Sequence, residues 1–288
     1  MTYLRDEIAS QPSVWSRALE MSVSGLPEPG ERVAVIGCGT SYYMAQAYAA
    51  LRETAGLGET DAFPASEFPF GRHYDRAVAL CRSGTTTEVL SVLSRLSIPT
   101  TAITADPAMP ISEVADTVIS LDFADDRSVV MTRFATTTLV LLRASLGESL
   151  ADLPAAASEA LSTPLAPELL AAEQVTFLGT GWTIGLANEA ALKLREAAQR
   201  WTESYYAMEY RHGPISIAEP GRAVWVFGPA PDGLVDDVRA TGAHLELYDG
   251  DPLVSLVRTH LLAQAVAESR GLNPDQPRNL TRSVILAE

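Results

Sequence analysis

Eight consecutive residues concentrate groups that can bind a phosphate. The stretch Cys81-Arg82-Ser83-Gly84-Thr85-Thr86-Thr87-Glu88 holds five hydroxyl or thiol side chains, one glycine and one arginine. It lies between a predicted strand and a predicted helix, where backbone N–H groups attract an anion and hydroxyls complete the cradle. Because capping a helix requires one such residue rather than five, we interpret the stretch as a phosphate-binding loop.

A charged stripe is the second candidate for chemistry. Glu189, Lys193 and Glu196 recur at i, i+4 and i+7, which places them on one face of a predicted helix. An exposed ladder of ion pairs has the same spacing, and spacing alone favours that interpretation. A carboxylate that acts as a base must instead be partly withdrawn from water, so that its pKa approaches the working pH.

A Gly-x-Gly turn occurs twice, 142 residues apart, within VAVIGCGTS (33–41) and VTFLGTGWT (175–183). A dinucleotide site requires a third glycine, but the two copies have Tyr42 and Ile184 at that position. The glycines could bind a ligand, or they could only tighten a strand–helix turn. The matched register continues over about 35 residues, which predicts two domains of one ancestry.

These motifs need a scaffold, and short apolar runs alternate with helical stretches throughout the chain. This alternation predicts βαβ units and parallel sheets covered by helices on both faces. The predicted strands are Val33–Ile36, Ala77–Leu80, Thr101–Thr104, Thr117–Leu121, Val175–Leu178, Ala223–Phe227, His244–Tyr248 and Ser283–Leu286. The predicted helices are Ser41–Ala55, Glu88–Leu96, Arg133–Ser145, Ile184–Arg200 and Val254–Glu268. We predict a helical segment over residues 1–25 and domains over 26–160 and 161–288.

The bulk composition narrows the functional classes. A formal net charge of −15 repels phosphate backbones, so we expect no nucleic-acid partner. Cys38 and Cys81 form neither a disulfide framework nor a metal-ligand spacing, and we interpret both as small buried hydrophobic residues. The sequence shows no signal peptide and no apolar run of membrane-spanning length, so we expect no membrane partner and a cytoplasmic location.

Several stretches together resemble the sugar isomerase (SIS) domain family. They are Glu7-Ile8, Gln11-Pro12, Gly37–Tyr42, Ala65–Phe68, Arg82–Thr86, Glu189–Glu196, Glu209–Pro214 and Asp275–Leu280. In order and spacing the whole chain resembles the isomerase half of glucosamine-6-phosphate synthases. The resemblance implies an α/β fold with two SIS domains, each a five-stranded parallel sheet flanked by helices in a flavodoxin-like three-layer sandwich. It also implies a homodimer, a sugar-phosphate substrate and no metal or other cofactor.

The resemblance assigns the phosphate contacts. Ser41, Ser83 and Thr86 match the contacts of the family, and further donors come from Gly39, Thr40 and Arg82. Cys81 replaces a family serine, and its thiol is a weaker donor than a hydroxyl. Arg82 stands where the family has a neutral residue. It either compensates with a charge-assisted contact or is a solvated surface arginine.

The resemblance also assigns catalytic roles. Glu196 matches the base that moves a proton between C1 and C2 of the open-chain sugar, and Lys193 stabilises the developing enediolate charge. His212 matches a histidine that assists ring opening from the partner subunit. At the tail, Arg282 replaces the lysine that forms an imine with the sugar. Because arginine stays protonated, imine chemistry there is implausible, and we expect Arg282 to hold an anionic or hydroxyl group of the substrate.

Met1 begins directly at the isomerase part, without a glutaminase half, so we do not expect glutamine-dependent amination by this chain alone. The leading hypothesis is an isomerase or deaminase that acts on a hexose or hexosamine 6-phosphate. An amino-sugar-phosphate dehydratase or lyase begins with the same proton abstraction at C2 and stays open. So does a non-catalytic sugar-phosphate sensor, although the chain has no DNA-binding segment.

Overall fold

The chain is described by a computed structural model that covers residues 2–286. It divides into two compact units, each of which contains one sheet. Of the described residues, the first-sheet unit comprises 13–127, 131–151 and 281–286, and the second-sheet unit comprises 2–12, 128–130 and 152–280. Helix α1 (Tyr3–Leu19) therefore contributes residues to both units.

The first-sheet unit is built on five parallel strands. In chain order its elements are β1 (Val33–Gly37), α2 (Thr40–Thr54), β2 (Thr60–Pro64), β3 (Arg76–Leu80), α3 (Thr87–Leu93), β4 (Thr100–Thr104), α4 (Ile111–Val114), β5 (Thr117–Ser120) and α5 (Arg133–Ser145). The strands pair in the order β2-β1-β3-β4-β5. Trp15 of α1 is fully buried in this unit, and its indole N–H donates to Thr136 Oγ1 of α5 at 3.0 Å.

The second-sheet unit has four parallel strands among the residues that the structure describes. Its elements are α6 (Leu153–Ser162), α7 (Pro167–Ala171), β6 (Gln174–Gly179), α8 (Thr183–Ala198), β7 (Trp201–Tyr206), β8 (Ala223–Phe227), α9 (Leu234–Ala240), β9 (His244–Leu247) and α10 (Pro252–Ser269). The strand order is β7-β6-β8-β9. Helix α10 packs against both α8 and α6.

The predicted parallel, doubly covered sheets are confirmed. Every residue of β1, β4, β6 and β8 is buried, as expected for strands that have helices on both faces. In each sheet the first strand lies between the second and the third. The connection that follows the first strand therefore runs to one side of the sheet, and the connection that follows the third strand runs to the other side. Such a reversal opens a crevice at the carboxyl ends of the strands, between β1 and β3 and between β6 and β8, where α/β sheets bind ligands.

Three sequence predictions differ from the structure. Strands β2 and β7 were not predicted, because both are edge strands whose side chains are largely polar or partly exposed. The predicted closing strand Ser283–Leu286 is wrong, since these residues form no strand and belong to the first-sheet unit. The expectation of five strands in the second sheet is therefore also wrong, because the described residues provide four.

Candidate functional site

The hydroxyl-rich loop begins at the carboxyl edge of the first sheet. Strands β1 and β3 pair in parallel, with Ile36 opposite Ala79, so the turns that follow them leave the same edge. A Cβ atom on Gly37 would lie 2.6 Å from the backbone of Ser41, which means that α2 can begin this close to β1 only because position 37 is glycine. Gly179 has the same role beside α8, with 2.5 Å to the backbone of Thr183. The first glycine of each copy thus tightens the strand–helix turn.

The candidate phosphate-binding residues are mostly withdrawn from solvent. Thr40 and Ser41, at the start of α2, are each 5% exposed, and Ser83 is 9% exposed. The buried thiol of Cys81 donates to Thr86 Oγ1 at 3.5 Å and lies 3.8 Å from Ser83 Oγ. The loop therefore brings the Ser83 and Thr86 hydroxyls around the Cys81 thiol. Neither cysteine forms a disulfide, and burial raises the pKa of Cys38 to about 11.

Arg82 is a buried cation of this loop. It is 3% exposed, which rules out a solvated surface arginine. Burial raises the pKa of the Asp126 carboxyl, and the Arg82 charge opposes that rise. The Asp126 carboxylate accepts the backbone N–H groups of Arg133 at 3.0 Å and Phe134 at 3.1 Å, at the beginning of α5. Asp126 thus compensates the buried Arg82 charge and fixes the start of α5 at the same time.

The tail segment, residues 281–286, also lies on the loop. Ser283 Oγ is 2.9 Å from Thr85 Oγ1 and 3.1 Å from Ser83 Oγ, and the Arg82 guanidinium donates to the carbonyl of Arg282 at 2.8 Å. The Arg282 side chain forms an ion pair with Asp125 at 2.5 Å and donates to the Asp126 carbonyl. The guanidinium at the position of the expected tail lysine is therefore engaged with protein groups.

In the second-sheet unit, helix α8 carries the predicted charged stripe. Glu189 and Lys193 are buried, with 0% and 1% exposed, whereas the Glu196 side chain is 20% exposed. The Lys193 ammonium contacts the Glu196 carboxylate directly and lies 3.5 Å from Glu189 Oε1. An exposed ladder of ion pairs is therefore excluded, because two of the three charges are inside the protein.

The buried lysine has a polar neighbour on α10, which in turn contacts α1. His260 of α10 is 1% exposed, and its Nδ1 lies 3.3 Å from the side-chain amide nitrogen of Gln11. Burial, and secondly the charge of Lys193, lowers the pKa of His260 to about 3, so the imidazole is neutral at physiological pH. Glu7, on the same segment of α1, is buried and accepts the backbone N–H of Ser128 at 3.2 Å. A buried polar cluster thus supports the α8 stripe.

An open cavity of about 500 Å³ lies beside Glu196 in the second-sheet unit. Its wall includes Arg195, Arg278 and the side chain of Trp201, which is 60% exposed. Glu196 therefore faces space that is large enough for a small molecule, while Lys193 holds its carboxylate from inside the protein. This is the arrangement that a proton-transferring carboxylate needs, with access to a substrate on one side and a fixed counter-charge on the other.

His212 ends the short 3-10 helix Glu209–His212 and is exposed on the surface of its unit. This helix follows β7 directly in the chain. Its exposure leaves the imidazole available to another molecule.

Sequence reasoning missed three residues that shape these sites, namely Asp126, His260 and Ser283. Asp126 precedes α5 by seven residues and gives no recognisable capping spacing. His260 lies within an apolar helix, where one histidine carries little signal on its own. Ser283 fell within the wrongly predicted closing strand. Among the described residues, no helix is long and apolar enough to cross a bilayer, and no group of three or more His, Cys, Asp or Glu side chains could hold a metal ion.

Comparison with known proteins gives a consistent set of relatives. The isomerizing glutamine–fructose-6-phosphate aminotransferase of Aliivibrio fischeri is 29% identical across 88% of this chain and 52% of its own length. The corresponding enzyme of Corynebacterium glutamicum is 33% identical over 42% of this chain and 25% of its own length. The chain thus spans about half the length, or less, of these curated relatives. No family model matches the sequence.

Among solved structures, glucosamine-6-phosphate deaminase from Thermotoga maritima matches with a TM-score of 0.81 and 26% identity, over 99% of this chain and all of that one. Tagatose-6-phosphate ketose/aldose isomerase from Escherichia coli has a TM-score of 0.80 at 19% identity, which shows a shared fold. The alignment with the deaminase extends over both units of the chain. The protein is therefore homologous to the isomerase half of the aminotransferases and to the deaminase, and it shares its fold with the tagatose-6-phosphate isomerase.

Proposed function

We propose that the protein is a sugar-phosphate isomerase or deaminase that acts on a hexose or hexosamine 6-phosphate. The observation that carries the proposal is the ion pair on α8 between the buried Lys193 and the partly exposed Glu196, whose carboxylate borders an open cavity. An ion pair that served only solubility would lie on the surface. The homologous Thermotoga maritima structure is that of a glucosamine-6-phosphate deaminase, which supports this substrate class.

Glu196 is the proposed base. In the open-chain aldose, its carboxylate takes the proton from C2, the C–H electrons form a C1=C2 double bond, and the carbonyl oxygen at C1 becomes negative. The Lys193 ammonium, fixed inside the protein, stabilises that charge. Return of the proton to C1, together with transfer of the hydroxyl proton from O2 to the negative O1, yields the ketose. When C2 carries an amine, the same step yields an imine at C2, and addition of water then releases ammonia and leaves the ketose phosphate.

The phosphate is proposed to bind at the loop that follows β3. The hydroxyls of Ser41, Ser83 and Thr86 and the buried Arg82 guanidinium provide the donors, with Gly39 and Thr40 at the start of α2. A guanidinium matches phosphate oxygens in geometry and charge, which offsets the weak donor at Cys81. The net charge of −15 makes this local cation important, because the protein as a whole repels an anionic substrate.

We further propose that each sheet belongs to one SIS domain and that the active form is a cytoplasmic homodimer. The shared strand order β2-β1-β3-β4 and β7-β6-β8-β9 supports a duplication. The exposed position of His212 suits a histidine that assists ring opening in a partner subunit. In this proposal, a chain that cannot dimerise loses activity while it retains its fold.

The test is conversion of glucosamine 6-phosphate to fructose 6-phosphate and ammonia, measured in both directions with purified protein. Glu196→Gln should lower kcat by about 10²- to 10⁴-fold, the usual contribution of a positioned base. Glu159→Gln, at an exposed position on α6, is the matched control and should keep full activity. Full activity of Glu196→Gln would refute the role of Glu196, and absence of any turnover by the wild type would refute the isomerase and deaminase assignment.

One observation favours a second candidate, a lyase that eliminates a substituent after proton abstraction at C2. The residue at the tail position is Arg282, which is occupied by Asp125 and cannot form an imine. A reaction that begins at C2 without an imine is compatible with that replacement. Incubation with an N-acetylated amino-sugar phosphate, followed by mass spectrometry for loss of water, distinguishes the two reactions. Binding of all these sugars without any reaction would instead indicate a sensor.

A further inference from the structure

We infer that the tail segment 281–286 is a built-in competitor for the phosphate loop, with the Ser283 hydroxyl at the position of a phosphate oxygen. The inference rests on the proposed function, because it assigns a competitor to the proposed phosphate site. Ser283 Oγ lies within hydrogen-bonding distance of three loop hydroxyls, at 2.9 Å from Thr85, 3.1 Å from Ser83 and 3.4 Å from Thr86. Two of these, Ser83 and Thr86, are the hydroxyls assigned to phosphate.

The backbone of the tail occupies further donors of the loop. The Arg82 guanidinium donates to the carbonyl of Arg282 at 2.8 Å, and the Thr87 N–H donates to the carbonyl of Val284 at 3.2 Å. Together with Ser283 Oγ, the tail presents three oxygens to the loop, as many as the non-bridging oxygens of a phosphate monoester. Bound phosphate and this tail conformation therefore require the same donors.

The tail is held in a way that permits its displacement. Its apolar side chains are poorly buried, with Val284 51%, Ile285 69% and Leu286 56% exposed. Polar contacts, including the ion pair of Arg282 with Asp125, hold it instead. A segment with few buried apolar contacts opens at low cost, and a dianionic phosphate interacts with Arg82 more strongly than a neutral carbonyl does. The substrate therefore displaces the tail, and its apparent affinity equals the affinity of the open form multiplied by the fraction of molecules in which the tail is open.

Two full-length variants at one position test this inference, with titration calorimetry of inorganic phosphate and of glucosamine 6-phosphate as the readout. Ser283→Ala removes the competing hydroxyl and should tighten binding of both ligands by about fivefold, the effect of one net neutral hydrogen bond. Ser283→Asp places a carboxylate among the donors and beside Arg82, and should weaken binding by at least about tenfold. Ser158→Asp adds the same charge at an exposed position on α6 and should leave binding unchanged.

The outcomes separate this inference from the proposed function. Weaker binding by Ser283→Ala would show that the hydroxyl is a phosphate ligand rather than a competitor, and equal binding by all forms would show that the tail is irrelevant. Either result overturns the inference and leaves the phosphate site in place. If neither ligand binds to the wild type or to Ser283→Ala, the phosphate site itself fails and the inference fails with it. Opposite shifts for Ala and Asp support the inference.

Discussion

Replacing His260 by glutamine should make the protein less sensitive to acid. His260 is 1% exposed, and burial together with the Lys193 charge lowers its pKa from 6.5 to about 3. The Gln11 amide donates to the imidazole Nδ1, which suits the neutral ring. In the unfolded chain the same ring binds a proton near pH 6.5. Between these two pKa values only the unfolded state is protonated, so stability is full above pH 6.5 and decreases as the pH falls toward 3.

The size of the effect follows from the two pKa values. At pH 7 the unfolded His260 is mostly neutral, whereas at pH 5 almost every unfolded molecule carries the extra proton. The free energy of unfolding of the wild type should therefore fall by about 2 kcal/mol from this one residue between pH 7 and pH 5. His260→Gln has no proton to bind, so this contribution disappears, whatever the variant loses or gains in packing.

Urea unfolding at pH 7 and pH 5 measures the difference, and only the change with pH enters the comparison. His73→Gln, which makes the same replacement at an exposed histidine, is the matched control. NMR gives a second readout, since the ring signals of folded His260 should not titrate between pH 7 and pH 5. An equal loss of stability in the wild type and in His260→Gln would refute the assignment of a buried, neutral imidazole beside Lys193.

Two further predictions concern buried charges. Lys193→Met removes the cation that lies 3.5 Å from the fully buried Glu189, and it should lower the free energy of unfolding by about 3–5 kcal/mol. Glu196→Gln, at a partly exposed position, should lower it by at most about 1 kcal/mol. Urea unfolding measures both, and equal losses would contradict the argument that burial makes the Lys193 charge important. Arg52 is 1% exposed and donates to the carbonyls of Glu31, Gly58 and Glu28 and to Thr60 Oγ1. In thermal unfolding, Arg52→Met should therefore lower the stability by about 3 kcal/mol or more, and Arg52→Lys by clearly less. An Arg52→Met variant as stable as the wild type would show that these carbonyls find other donors.

Where side chains are buried on both faces, the sequence predicted the fold well. The apolar runs of β1, β3, β4, β6 and β8 identified the central strands, and Ala223–Phe227 and Arg133–Ser145 were predicted with the observed bounds. The two edge strands β2 and β7 were missed for a physical reason. One face or edge of such a strand meets solvent, so β7, with the sequence Trp-Thr-Glu-Ser-Tyr-Tyr, carries no continuous apolar signal.

The candidate site shows the same division between local and distant information. The loop after β3 and the α8 stripe are local patterns, and both were found. Whether the stripe was exposed could not be read from its spacing, because α8 is covered by α10, which is distant in sequence. Ser283 and Asp126 escaped notice for the same reason, since each meets the Arg82 loop only after the chain has folded.

The two Gly-x-Gly copies can now be compared at equivalent places in their sheets. Thr183 is the counterpart of Ser41, 142 residues later, but its hydroxyl is occupied: it accepts the N–H of Thr180 at 2.8 Å and contacts the carbonyl of Phe227 at 2.9 Å. The turn after β8 reads Gly228-Pro229-Ala230-Pro231, and the two prolines lack the N–H donors that an anion requires. The second crevice therefore lacks the hydroxyl-rich loop of the first. The two sheets share a strand order but not this loop, and in the second-sheet unit the buried charges of Glu189 and Lys193 lie along α8 instead.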